Sequence, residues 1–202
     1  MLEEYSKKLG QVPVSWDKDH ILNAPWHEIP FHEKHLLKRA TAAGYTDKHL
    51  EFWCTGWTGD DPEIAADYTC LFNDMGDDYW KRLQPTVDAF PNSEWCTVRY
   101  QMMPPGAVYP PHIDPTPHIN YRRYWKNRHG LDVPMKDDND IRRAIVFCGP
   151  HRPGHFSLVE GNMFYGWNPG DYVYFGRRTH AAGNFGGINR YVLLVTYFVD
   201  NT

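Results

Sequence analysis

The residues best suited to shared chemistry stand in three separate stretches. His112-Ile113-Asp114 sets an imidazole and a carboxylate two positions apart. On an extended strand such positions point to one face, so both side chains can converge on one metal ion. His180 comes after Trp167-Asn168-Pro169-Gly170-Asp171-Tyr172-Val173-Tyr174-Phe175 and is read as delivered by a short loop. The Asn-Pro-Gly-Asp step is a turn with a mechanism, since Pro presets φ and Gly admits a positive φ. Arg190 opens the apolar run RYVLLVTYFV. An Arg at the mouth of a strand-built pocket can clamp a carboxylate with two parallel hydrogen bonds. His49-Leu50-Glu51 repeats the His-x-acid spacing. It lies in a stretch read as helix, where positions i and i+2 do not face each other, and is taken as surface.

Two imidazoles and one carboxylate with open positions opposite are the facial set that holds Fe(II) in non-heme oxygenases. Such a set leaves room for a 2-oxoacid, bound through its carboxylate and ketone, and for O2. The charges close too: Fe(II), Asp114 and doubly ionised 2-oxoglutarate leave one negative charge, which Arg190 neutralises. That balance matters because an unpaired buried charge is costly.

The stretch from Tyr100 to Val199 resembles the 2-oxoglutarate/Fe(II)-dependent dioxygenase superfamily. The matching pieces are Arg99-Tyr100, Gly106, Tyr109, His112-Ile113-Asp114, the run from Arg142 to Phe147, the turn from Trp167 to Asp171, His180-Ala181-Ala182-Gly183-Asn184 and Arg190. Within the superfamily it is most similar to the aspartyl/asparaginyl β-hydroxylase-like and prolyl hydroxylase-like members. The resemblance covers about half the chain and implies a double-stranded β-helix (a jelly-roll, cupin-like fold). It implies His112, Asp114 and His180 as iron ligands and Arg190 on the distal carboxylate of 2-oxoglutarate. By the same resemblance Arg143 (or its neighbour Arg142) and Tyr100 assist in binding the cosubstrate. The chain departs from the pattern in four places. Ile145 or Ala144 stands where some members have His after the Arg-x pair, and the insert between Asp114 and Arg142 is longer. Many aspartyl β-hydroxylase-like members lack the acidic ligand, which is present here as Asp114, and the Arg-x-Ser of other branches reads Arg190-Tyr191-Val192. An intact Asp114 favours hydroxylation over halogenation. The implied activity is hydroxylation of an amino acid or peptidyl residue, with release of succinate and CO2. Two alternatives stay open: a non-catalytic cupin-like module that binds a metal or ligand, and an oxygenase acting on a nucleobase or small metabolite.

These residues need a scaffold, and the chain divides into two compositional parts. Residues 1–93 read as a helix-rich portion, with helices over 32–43, 62–71 and 77–84, the last ended by Pro85. Residues 94–202 read as the β-helix core, packed with the first portion into one domain. Its strands are WCTVRYQMM, RRAIVFCG, HFSLVE, NMFYGW, DYVYF and RYVLLVTYFV, parted by Pro, Gly, Asn and Asp clusters. Many short strands with turns between them fit a jelly roll. The polar insert 119–140 shows no strand and reads as a solvated loop or lid.

Composition sets the outer limits. The 202 residues are 42% hydrophobic and 23% charged, which fits a folded core rather than disorder. The longest apolar run, 191–199, is too short to span a bilayer, and the first residues carry acids where a signal peptide has bases. No membrane partner is expected. The net charge of −4 speaks against a broad phosphate-binding face. YRRYWKNRHG interleaves cations with aromatics, but KDDND follows it and weakens the case for nucleic acid. The expected partner is a small-molecule or peptide substrate. The four cysteines form no CxxC pair, so reduced thiols and a cytoplasmic setting are expected. His118, His151 and His155 are taken as non-ligands. The latter two flank the turn Arg152-Pro153-Gly154 and are expected in solvent, while His118 stands close enough to the metal pair to face substrate. Asn184 either hydrogen-bonds near the iron or steadies the loop before Gly186-Gly187.

Overall fold

The strand Arg190–Phe198 carries apolar side chains on both faces and is buried along nearly its whole length, as a strand at the centre of a covered sheet must be. The structure, a computed structural model, describes residues 10–14, 27–29, 67–71, 77–113 and 117–200. Its strands are β1 (Gly10–Gln11), β2 (His27–Ile29), β3 (Asp67–Leu71), β4 (Thr97–Met103), β5 (Val108–His112), β6 (Ile141–Phe147), β7 (His155–Val159), β8 (Asn162–Phe164), β9 (Asp171–Tyr174), β10 (His180–Asn184) and β11 (Arg190–Phe198). The helices are α1 (Asp77–Val87) and α2 (Pro117–His129).

Seven strands form one sheet in the order β1-β9-β6-β11-β4-β3-β2, and four form the other in the order β5-β10-β7-β8. Every pairing is antiparallel. From β4 onward the chain passes repeatedly from one sheet to the other, which is the winding of a double-stranded β-helix. Side chains of period two sort into two cores. On the outer face of the large sheet, Val98, Tyr100, Ala144, Val146, Leu193 and Val195 pack with Leu83, Val87 and Phe90 from α1 and the segment after it. Between the sheets, Ile145, Phe147, Val173, Val192 and Leu194 meet Val159 and Phe164 of the small sheet.

Several expectations change. Residues 67–71, expected as helix, form β3, because pairing with β4 places them in the sheet. Tertiary pairing here outweighs local pattern. Described residues ahead of 94 thus extend the core sheet as well as supplying α1. The expected helix over 77–84 is α1, which runs through Pro85 to Val87. The expected helix over 32–43 and the His49-Leu50-Glu51 motif lie outside the described residues. The insert is not an open loop. α2 buries Tyr121 and Trp125, one helical turn apart, against Val133, Met135, Ile141 and Phe198. The Tyr121 hydroxyl (2.5 Å) and the Trp125 indole N–H (3.1 Å) both donate to the Trp95 carbonyl. Arg122, one of the cations of YRRYWKNRHG, pairs with Asp138 at 3.1 Å and donates to the Met135 carbonyl. Cys96 and Cys148 are buried free thiols. Among the described residues no helix is long and apolar enough to cross a membrane.

Candidate functional site

The two candidate histidines meet through a break in the small sheet. β5 contains Pro110 and Pro111, which have no amide N–H for a ladder, and among the described strands it lies at the border of its sheet, where prolines are tolerated. Its register against β10 runs Gly183↔Val108 and Ala182↔Tyr109, then shifts to His180↔His112. That is three residue steps on β5 against two on β10, a bulge that re-aims the end of the strand. His112 and His180 thereby become direct cross-strand partners, with ring centroids 4.4 Å apart. His180 begins β10 rather than hanging in a loop.

Neighbours orient the pair. His180 Nδ1 lies 2.9 Å from the Arg178 carbonyl. A carbonyl only accepts, so Nδ1 carries the proton and Nε2 carries the lone pair, the tautomer of a metal ligand. The Phe175 ring packs on His180 at 4.6 Å. Gly170, with φ +89, makes the sharp turn into β9, where a side chain would strike the Val12 carbonyl. Gly183 on β10 lets the Phe156 ring approach closely. Asp114, the expected third ligand, lies outside the described residues. Among the described residues no group of three or more His, Cys, Asp or Glu side chains gathers around one point.

Arg190 is the other pole. Its side chain stands on the inter-sheet face of β11 and is 2% exposed. Nη2 donates to Ser157 Oγ at 2.5 Å, and Nη1 lies 3.1 Å from Met103 Sδ. The guanidinium carbon is 5.6 Å from the Trp167 ring and 5.9 Å from that of Phe147, and those two rings stack at 4.0 Å. Among the described residues the buried Nε has no hydrogen-bond partner and no carboxylate pairs with the group. Burial pulls its pKa down to about 10, so it stays charged at neutral pH. A charge buried this way is costly until an anion meets it. On the shared wall, Ser157 faces Ala182 and Val159 faces His180. The imidazole pair and the Arg190–Ser157 pair are therefore offset by two strand residues, about 7 Å.

The remaining candidates separate by face. Arg143 turns toward the site: its guanidinium lies 4.6 Å from the Phe175 ring that packs on His180. Arg142 turns away and donates to the Asn139 and Ile141 carbonyls. Tyr100 stands opposite Leu193 and belongs with it to the outer core beside α1. It is on the wrong side of the sheet to touch a ligand of Arg190, and the expectation of a cosubstrate role for it is corrected. His155, expected in solvent, is 5% exposed and donates from Nε2 to the Ile188 carbonyl at 3.1 Å. His151 donates to the His155 carbonyl at 3.0 Å. His118 lies 3.6 Å from Asp138 on the α2 side of the molecule. Asn184 is buried in the loop-holding role, bonded to Met103, Gly186 and Ile188. Ser157 was missed in the sequence. Its signal was a lone hydroxyl on the inward parity of HFSLV, alternating with Phe156 and Leu158.

No protein-family model matches the chain, and no curated protein matches it in sequence. Solved structures do. A prolyl-4-hydroxylase from Pseudomonas putida is 16% identical with a TM-score of 0.45, over 90% of this chain and 96% of that one. A predicted oxalate decarboxylase from Thermotoga maritima is 9% identical with a TM-score of 0.38, over 66% and 82%. A cupin-2 domain from Rhodospirillum rubrum is 9% identical with a TM-score of 0.37, over 67% and 62%.

Proposed function

We propose that this protein is an Fe(II)- and 2-oxoglutarate-dependent oxygenase that hydroxylates an amino acid or peptidyl residue. The observation that carries the proposal is Arg190, a buried guanidinium lacking a carboxylate partner among the described residues, bonded to Ser157, which stands two strand residues along from the register of the facing imidazoles. A divalent ion on the imidazoles and a guanidinium so close by would repel each other. A keto diacid lying between them satisfies both, with its keto-acid end toward the metal and its far carboxylate on Arg190.

The donor set fits the group. Imidazole nitrogen suits ferrous iron, and the tautomer of His180 is the ligating one. His112 and His180 would hold the ion, with Asp114 as the third ligand. When bound, iron supplies activation of O2 with oxidative decarboxylation of 2-oxoglutarate to succinate and CO2. The chain's residues do the rest. Arg190 and the Ser157 hydroxyl bind the distal carboxylate with charge-assisted hydrogen bonds. The stacked Phe147 and Trp167 rings exclude water behind that carboxylate. Phe175 braces His180, and Arg143, beside the same Phe175 ring, adds positive charge for cosubstrate binding.

The test is succinate formation from 2-oxoglutarate with Fe(II), ascorbate and candidate amino acids or peptides. A folded, iron-loaded protein without affinity for 2-oxoglutarate would overturn the proposal. A non-catalytic metal-binding module would use the same two imidazoles but has no use for the buried guanidinium. Fe(II) and 2-oxoglutarate mixed without oxygen separate the two, since a weak visible charge-transfer band arises only when the keto acid chelates the metal.

A further inference from the structure

The buried side chains of Asn184 and His155 face each other in register on β10 and β7. Both point a donor at one atom. Asn184 Nδ2 reaches the Ile188 carbonyl at 2.8 Å, and His155 Nε2 reaches it at 3.1 Å. A carbonyl oxygen has two lone pairs, so it accepts both. Two residues later the chain becomes Arg190. The segment between Asn184 and Arg190 contains Gly186 and Gly187, and the Ile188 side chain is 52% exposed, so apolar packing contributes little to holding it.

Asn184 also ties this segment to the surroundings of the guanidinium. Its Nδ2 donates to the Met103 carbonyl at 2.8 Å, and Met103 Sδ touches Arg190 Nη1. Its Oδ1 accepts from the Gly186 amide at 3.0 Å. Its backbone bonds Gly106 and Ala107 at the entry to β5, the strand that ends in His112. One residue thus links the strand of His180, the approach to His112 and the start of β11.

We infer that Asn184 and His155 form a clamp on the Ile188 carbonyl that fixes the Arg190 guanidinium relative to the two imidazoles, making both of them positioning residues for the anion that Arg190 binds. The anion's identity as 2-oxoglutarate rests on the function proposed above; the clamp itself does not.

His155→Phe tests the clamp with least disturbance, because it keeps a ring beside Trp167 and removes only the donor. His155→Gln keeps a donor and serves as the rescue. The first measurement is hydrogen exchange at the backbone amides of 188–190 without any ligand. Exchange should quicken about tenfold in His155→Phe and return toward wild type in His155→Gln. The second is calorimetric titration with 2-oxoglutarate in the presence of Mn(II), alongside titration with Mn(II) alone. Affinity for 2-oxoglutarate should fall about tenfold in the Phe variant, with Mn(II) affinity within twofold of wild type. Unchanged exchange in a folded Phe variant overturns the clamp. So does an equal loss of both affinities, which marks a general structural defect, or a Gln variant that behaves like Phe. If wild type fails to bind 2-oxoglutarate while the exchange result holds, the clamp stands and the proposed cosubstrate falls.

Discussion

The two faces of the large sheet are built from alternate residues of the same strands, yet they do different work. The outer face is apolar where α1 and the segment after it close over Val98, Tyr100, Val146, Leu193 and Val195, with Arg142 toward one end of β6. Apolar side chains of matching volume are the best tolerated replacements there. The inner face interrupts an equally apolar surface with Arg190 and Arg143. Arg142 and Arg143, or Leu193 and Val192, differ by one position and belong to different worlds. A sheet thus keeps stability and chemistry adjacent in sequence but physically separated, and each face can be changed while the other is watched.

The largest expected effect is on the inner face. Arg190→Met should weaken 2-oxoglutarate binding roughly a thousandfold, about 4 kcal/mol. Thermal unfolding should show the fold undiminished, since an apolar side chain replaces a buried unpaired charge. A large drop in melting temperature would mean that the guanidinium is structural. Leu193→Ala is the mirror experiment on the outer face. It should cost about 3 kcal/mol in denaturant unfolding and leave cosubstrate affinity within twofold. Ser157→Ala sharpens the contrast. Losing one hydroxyl should weaken 2-oxoglutarate about tenfold in calorimetry with little change in stability.

A smaller effect follows from His155. Burial, the strongest influence, holds its pKa below the ordinary value of 6.5; Arg190, His151 and Arg152 act the same way, against the Ile188 hydrogen bond. The unfolded chain therefore takes up the proton first as pH falls. Stability should be complete above about pH 6.5 and decline from there down to the lower folded value. Unfolding curves of His155→Phe should lack that part of the slope. Smallest of all is Tyr100→Phe, for which cosubstrate affinity should not move. A clear loss would mean that the outer face reaches the ligand after all.

What could be seen in advance follows the same division. β6 and β11 were legible because β-branched and aromatic residues dominate them, and β4 because its Thr, Val and Tyr stand among long side chains with no Gly or Pro. β5 and β10 were not, for VYPPH holds two prolines and HAAGN has no β-branched residue and a run of Ala-Ala-Gly. They are strands because their neighbours supply the ladder. Tyr121 and Trp125 carried a helical spacing in the insert that its polar surroundings hid. His112, His180 and Arg190 stood out by type and order. Ser157 did not, because no rule of spacing along the chain reveals which residue lies across from Arg190. Tyr100 was placed by likeness alone. Its true face depends on the pairing of β4 with β11, and parity along one strand cannot fix which way a neighbouring strand is turned.

Among the described strands β5 forms the border of the small sheet beside the histidines, and a bare border invites foreign segments to zip onto it. Successive residues of a strand turn their amides to opposite sides, so one of Pro110 and Pro111 removes a rung from that border and an arriving chain meets a gap there. The stretch that brings His112 into register with His180 thus also guards that rim against self-association.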